Sequence, residues 1–388
     1  MAERVRIYRG GKMKNKIKTI SIIIFISTLI MLISFGGQKA EWKGKIEYEN
    51  GVKVIKNPRE PLYGEIKFEL EQDLSIGRED DDNYMFYRVR DIEVDNQGNI
   101  YVEDMSNYRI QKFDKTGNYI QTFGRQGQGP GEFELPMKIR ISETTGNVYV
   151  KDQAYGIEIF DRHGTPIKGF KTKKSFSDFR LDEDGNIIGI FRTLSELSYT
   201  NSVCKVNPLG EIVETYAEFP YNMYMRRTPE GGIISAVTGW EKDLLLAKID
   251  NQTFVYGYPE KYDLSVIDKN GQLLYKITKD EPFRKFPAEK RGRLKEMNLG
   301  DFQPFYYLII TDNIGRIYIQ TNKTWAEEDV NIKEVDIFSK DGYYLYKTTL
   351  PKNTYVIKNG YLYALEINEK ELVKRFRIKN WDQIRERI

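Results

Sequence analysis

Between residues 64 and 380 apolar and polar residues alternate in short runs, and a turn rich in Gly, Asp and Asn breaks nearly every run. A period of two over a handful of residues predicts half-buried strands rather than helices. One unit recurs: a polar turn with glycine, then a β-branched or aromatic strand. It appears as Asp95-Asn96-Gln97-Gly98-Asn99 before Ile100-Tyr101-Val102, as Thr145-Gly146-Asn147 before Val148-Tyr149-Val150, and as Asp184-Gly185-Asn186 before Ile187-Ile188. Glu230-Gly231-Gly232, Asn313-Ile314-Gly315-Arg316 and Asn359-Gly360 open the remaining copies. A second turn trails the first five: Phe113-Asp114-Lys115-Thr116-Gly117, Phe160-Asp161-Arg162-His163-Gly164, Val206-Asn207-Pro208-Leu209-Gly210, Ile267-Asp268-Lys269-Asn270-Gly271 and Phe338-Ser339-Lys340-Asp341-Gly342. Both are hairpin signals, with Gly supplying positive φ and Asp or Asn bonding to the local backbone.

Two tight turns per repeat give four strands, and radially repeated four-stranded sheets are propeller blades. The sixth repeat runs out after Phe376-Arg377-Ile378, one strand short. Ile66-Lys67-Phe68-Glu69-Leu70 alternates as the missing strand should, and its pairing there would remove an exposed sheet edge. The expectation is an all-β fold over residues 64–380: a six-bladed β-propeller closed by an N-terminal strand that completes the last blade. Residues 41–63, with Pro58 and Pro61, read as a linker, and 381–388 as a C-terminal tail.

Ahead of this, residues 19–37 carry no charge, and seven Lys or Arg residues precede them against Glu3 alone. That is the layout of an export signal, or equally of a single-pass hydrophobic helix with the N-terminus held inside. Residues 1–40 are therefore a signal peptide or membrane anchor, the body being exported, and Met13 is an alternative start. The segment also explains the charge: the chain is +3 overall, but the residues after 18 hold 53 basic and 56 acidic groups. A body so near neutral lacks the basic footprint of a nucleic-acid binder. With one cysteine, Cys204, and one histidine, His163, neither an internal disulfide nor a Cys/His zinc site can form. No metal or other cofactor is expected of a binding module.

Gly98-Asn99-Ile100-Tyr101-Val102-Glu103-Asp104 followed by Asn107-Tyr108-Arg109-Ile110-Gln111-Lys112-Phe113 resembles an NHL repeat. The run from Phe123 to Phe133 before Pro136 is similar to that family's inter-repeat linker. The resemblance is specific in the first repeat, fair in the second, where Tyr155 replaces the Asn of the loop, and confined to the turns thereafter. It implies a six-bladed propeller of the bacterial envelope and leaves function open, since propellers host binding modules and enzymes alike. The lyases of that family would imply a His-liganded metal, which a single histidine does not supply.

In an up-and-down blade the tight turns share one end, so the longer connections gather on the other face, where recognition is expected. The innermost strands should carry Arg88, Arg90, Lys138, Arg140, Arg180, Arg226 and Arg227. Lining a channel, these would favour an anionic oligosaccharide or a peptide carboxylate; paired in salt bridges, they would be structural. Asp104, Asn107, Arg109 and Asp152 fall on the long-loop face, as do Trp240 and Trp325, the aromatics best placed for a glycan or a partner protein. A basic helix is expected within 287–297, and His163 falls in a hairpin turn on the tight-turn face, away from catalysis. The reading is a non-enzymatic recognition or scaffold propeller; the alternative is a hydrolase or lyase for a small or sugar-like substrate, with calcium in the channel.

Overall fold

The computed structural model describes residues 41–386 except 154–155, 196–197, 222–223, 237–241, 287, 289–290, 293–300 and 323–331. The hydrophobic N-terminal segment, Trp240, Trp325 and most of the expected basic helix lie outside the described residues. Among those described, no helix is long and apolar enough to cross a membrane. The chain divides into Met1–Trp42 and a compact unit, Lys43–Ile388, which holds the strands.

Six sheets follow one another along the chain, each built on four antiparallel strands; the fourth sheet is widened further, and the last takes its fourth strand from near the N-terminus. Their innermost strands are Val89–Val94, Pro136–Ile141, Ser175–Leu181, Leu245–Lys248, Tyr306–Thr311 and Thr354–Lys358. Each of these touches the next, and the last touches the first, so the six form a closed ring. The packing repeats the same symmetry: six hydrophobic clusters occupy the six junctions between neighbouring blades. Phe123, Phe133 and Phe160 meet between the first and second blades, and Phe176, Phe179 and Phe191 between the second and third. Both faces of each sheet are therefore buried except at the outer rim. That rim is why outer strands such as Pro166–Lys171 are mostly exposed.

Most of the turns that mark the repeat in the sequence share one geometry. The Asp95 Oδ1 accepts the backbone N–H of Gln97 and of Asn99, both at 2.9 Å, while the Gly98 N–H returns to the Asp95 carbonyl. Gly98 sits at φ +85°, a region an L side chain enters at a cost. Asp114, Asp161, Asp182, Asn207, Asp268 and Asp312 hold their turns by the same pair of bonds.

Four sequence-based placements are corrected. The Glu230-Gly231-Gly232 turn belongs to a separate two-stranded hairpin, Tyr224–Arg227 with Ile233–Ala236, and not to the fourth blade. That blade starts at Leu245–Lys248 and turns at Asp250-Asn251-Gln252 without a glycine. The fourth strand of the last sheet is Leu70–Ile76, paired with Glu371–Ile378, rather than 66–70; Ile66 instead donates its N–H to the Lys347 carbonyl. Residues 41–63 are not a simple linker. Lys45–Glu49 and Val52–Asn57 form a hairpin whose second strand runs parallel to Leu273–Lys279, widening the fourth blade to six strands. Residues 381–386 pack rather than trail: Ile384 is buried, and the Arg316 guanidinium lies 4.0 Å from the Trp381 ring centroid.

Candidate functional site: the central channel

The innermost strands share an irregularity that decides what faces the ring axis. In five of the six, the pairing register with the second strand slips by one residue near the start, leaving Arg90, Met137, Ser177, Tyr307 and Tyr355 as the extra residue of a bulge. Alternation then resumes in phase around the ring. Ile92, Ile139, Phe179, Ile309 and Ile357 point into the blade junctions and are at most 2% exposed. The residues on either side of each point to the axis. They line a cavity of about 1470 Å³.

Two rings of side chains result. One holds Asp91, Lys138, Asp178, Leu308 and Val356; the next holds Glu93, Arg140, Arg180, Ile310 and Lys358. Blades one to three thus present a charged wall, while the fourth and fifth present Ala247, Leu308 and Ile310, edged by Lys248 and Lys333, and the sixth Val356 and Lys358. In a six-membered ring the second blade faces the fifth, so Lys138 looks across the channel at Leu308. Beyond these rings the tight turns at 95–97, 142–146, 250–251, 312–313 and Asn359 line one end, with Arg162 and His163. The cavity therefore reaches the tight-turn face and His163, which the sequence had set apart from the site.

The charged wall is largely self-compensated. Arg140 reaches Asp91 at 2.6 Å and Asp178 at 2.8 Å, and also donates to the Phe179 carbonyl at 3.0 Å. Arg180 reaches the same Asp178 oxygen at 2.7 Å. Burial pushes the Asp178 carboxyl up, but Arg180, Arg140 and Lys138 together hold it well below the usual carboxylate range. Arg180 is pulled down by burial and by the Arg140 charge beside it. Lys138 is different: it makes no hydrogen bond or ion pair with any described residue. Burial, then the Lys138 charge, brings the amine of its strand neighbour Lys151 down to about 8.

Behind Asp91, across the pairing register, lies Glu103. It is 0% exposed, and neither carboxyl oxygen has a hydrogen-bond partner. Burial, with Asp91 and Asp104 adding repulsion, raises it to about 9, so it is a neutral acid at pH 7.

Of the other sequence candidates, Arg88 and Arg90 are exposed and outside the cavity lining, Arg90 being a bulge residue. Arg226 and Arg227 sit on the separate hairpin, not on an innermost strand. Asp104 and Arg109 are spent on local order. Asp104 accepts from the Tyr87 backbone (2.7 Å), the Asn107 amide (2.8 Å) and Arg109 Nε (2.9 Å), and Arg109 continues to the Met85 carbonyl at 2.6 Å. Asp152 caps the backbone of Glu134 and Leu135. Ile187–Ser195 and Ser198–Val206 pair as an extended hairpin. Asp91, Asp178, Leu308 and Ile310 escaped notice, although each stands four or two residues before the first residue of its tight turn (Asp95, Asp182 or Asp312). Among the described residues no group of His, Cys, Asp and Glu is arranged to hold a metal ion.

Comparison with known proteins agrees with the ring. Residues 76–207 match the sequence profile of DUF5128, described as a 6-bladed beta-propeller. A curated Drosophila melanogaster protein, Protein brain tumor, is 28% identical over 81 residues, 20% of this chain but only 8% of that protein. Among solved structures, a candidate exported protein of Bacteroides fragilis NCTC 9343 superposes with a TM-score of 0.53 at 13% identity, covering 84% of this chain and 99% of the other. Virginiamycin B lyase from Staphylococcus aureus gives 0.42 at 11% identity, covering 80% and 99%. Sequence profile, superposition and the closed ring of innermost strands agree that the chain is an all-β, six-bladed propeller.

Proposed function

We propose that this chain is a recognition module of the cell envelope whose central channel binds an anionic oligosaccharide or peptide without transforming it. The channel carries the reading: about 1470 Å³, walled by side chains on rigid strands, with Lys138 making no hydrogen bond or ion pair with a described residue. Concave sites in which a few placed polar groups orient a ligand against apolar surface are the usual form of a binding pocket. The NHL-like repeat and the charged, then apolar, N-terminal segment support an exported propeller, released or held at the membrane.

The test uses the full chain produced with its N-terminal segment. After fractionation, the propeller should be open to externally added protease in cells whose outer barrier is permeabilised but whose cytoplasm is intact. Purified protein is then screened by thermal shift against anionic oligosaccharides and acidic peptides. A rise in Tm that Leu308→Arg abolishes, with the ligand recovered unchanged, supports the reading. A ligand cleaved on incubation would favour the hydrolase or lyase instead, and a hit indifferent to Leu308→Arg would move binding out of the channel.

A further inference from the structure

The two walls of the channel differ in kind, and the difference restricts the chemistry of what fits between them. On the charged wall, Asp91 and Asp178 both give an oxygen to Arg140, and Asp178 also to Arg180. Those charges cancel locally and are held by partners from neighbouring strands. Lys138 stands between Asp91 and Asp178 in the ring and is bonded to neither. Opposite it, Leu308, Ile310 and Val356 give a surface with no hydrogen-bonding side-chain atom, each partly exposed to the cavity. A sugar polymer bearing hydroxyls on every side would leave those hydroxyls unpaired against these three side chains. An anion without an apolar part would leave the same wall wet. Lys333 edges that apolar surface from the third strand of the fifth blade, its amine pushed down by burial and by Lys352 nearby.

We infer that the channel takes a carboxylate borne on an apolar body, its carboxylate on Lys138 and its apolar part against Leu308, Ile310 and Val356. This rests on the channel being the binding site. The chemistry has two sources, a free acyl chain and the C-terminus of a peptide ending in apolar residues, and both place one carboxylate beside several carbons.

Two matched pairs of probes are titrated calorimetrically into the full chain: decanoate against decanol, and acetyl-Leu-Leu-Leu against its C-terminal amide. At least one acid should bind about tenfold or more tightly than its neutral twin, the margin of a charge-assisted bond, and the pair that shows the margin identifies the source. Lys138→Met, which keeps the bulk of the side chain, should erase the margin by weakening the acid more than its neutral twin. Leu308→Asn should weaken the acid and the neutral probe alike. Equal binding of acid and neutral probe, a margin that survives Lys138→Met, or no binding of either acid overturns the inference. The channel reading fails separately: it survives if an anionic oligosaccharide still binds and Leu308→Arg abolishes that binding, and it falls if no ligand responds to Leu308→Arg.

Discussion

Arg140 shows what a single side chain does in this ring. It leaves the second blade, takes Asp91 of the first and Asp178 of the third, and closes on a backbone carbonyl. Burial of the guanidinium is opposed by the carboxylates, which together hold its pKa above the ordinary value. Removing it would leave the partly buried Asp91 without its cation and Asp178 with Arg180 alone, so Arg140→Ala should cost about 3–5 kcal/mol, read from urea unfolding. Glu103 predicts the opposite sign. Its folded pKa, about 9, lies above the carboxyl's ordinary 4.5. The stability linked to its proton is therefore fully present below about pH 4.5 and is lost as pH rises toward 9. Glu103→Gln keeps the shape and removes the titration. It should raise stability at pH 7 by about 3 kcal/mol, and the advantage should shrink to nothing near pH 4. A constant difference across that range would refute the assignment of Glu103 as the neutral acid.

At the scale of elements, the segments outside the repeats hold neighbouring blades together. The N-terminal hairpin ends in Asn57, which is buried. Its Oδ1 accepts the Tyr344 backbone N–H at 2.8 Å, and its Nδ2 donates to the Gly342 carbonyl at 2.8 Å and the Thr278 carbonyl at 3.2 Å. One side chain so ties the outer strand of the fourth blade to the fifth. Asn57→Ala leaves a buried N–H and two carbonyls unanswered and should cost about 2 kcal/mol or more, measured as a lower urea midpoint at unchanged slope. Little of this was legible. Leu70–Ile76 is an outermost strand with only Ile76 fully buried, so its apolar pattern is weak, and the better alternation of 66–70 drew attention instead. The fourth blade hid for a related reason: its first turn is held by Asp250 without glycine, while the Gly231 hairpin nearby imitates the signature.

For the whole molecule, closure predicts a graded response to truncation. Deleting 45–57 removes an appended hairpin and leaves the four-stranded core of each blade intact. Deleting 45–76 also exposes the edge of Glu371–Ile378 and uncovers Val373 and Tyr363 at the junction with the first blade. The first variant should unfold cooperatively at lower Tm; the second should lose cooperativity or aggregate, as judged by calorimetry and size-exclusion chromatography.

The repeats, the blade number and the positions of most turns were determined by the sequence alone. They depend on local chemistry, an Asp or Asn bonding two N–H groups beside a glycine, and local chemistry is written in consecutive residues. The charges on the inner strands were legible too, but their meaning was not. Arg140 is 49 residues from Asp91 and 38 from Asp178, and no periodicity reveals which cation is answered and which, like Lys138, is left facing the channel. That was decided only by the tertiary structure, because a closed ring brings every blade's first strand to one axis and a shared bulge sets which side chains point there.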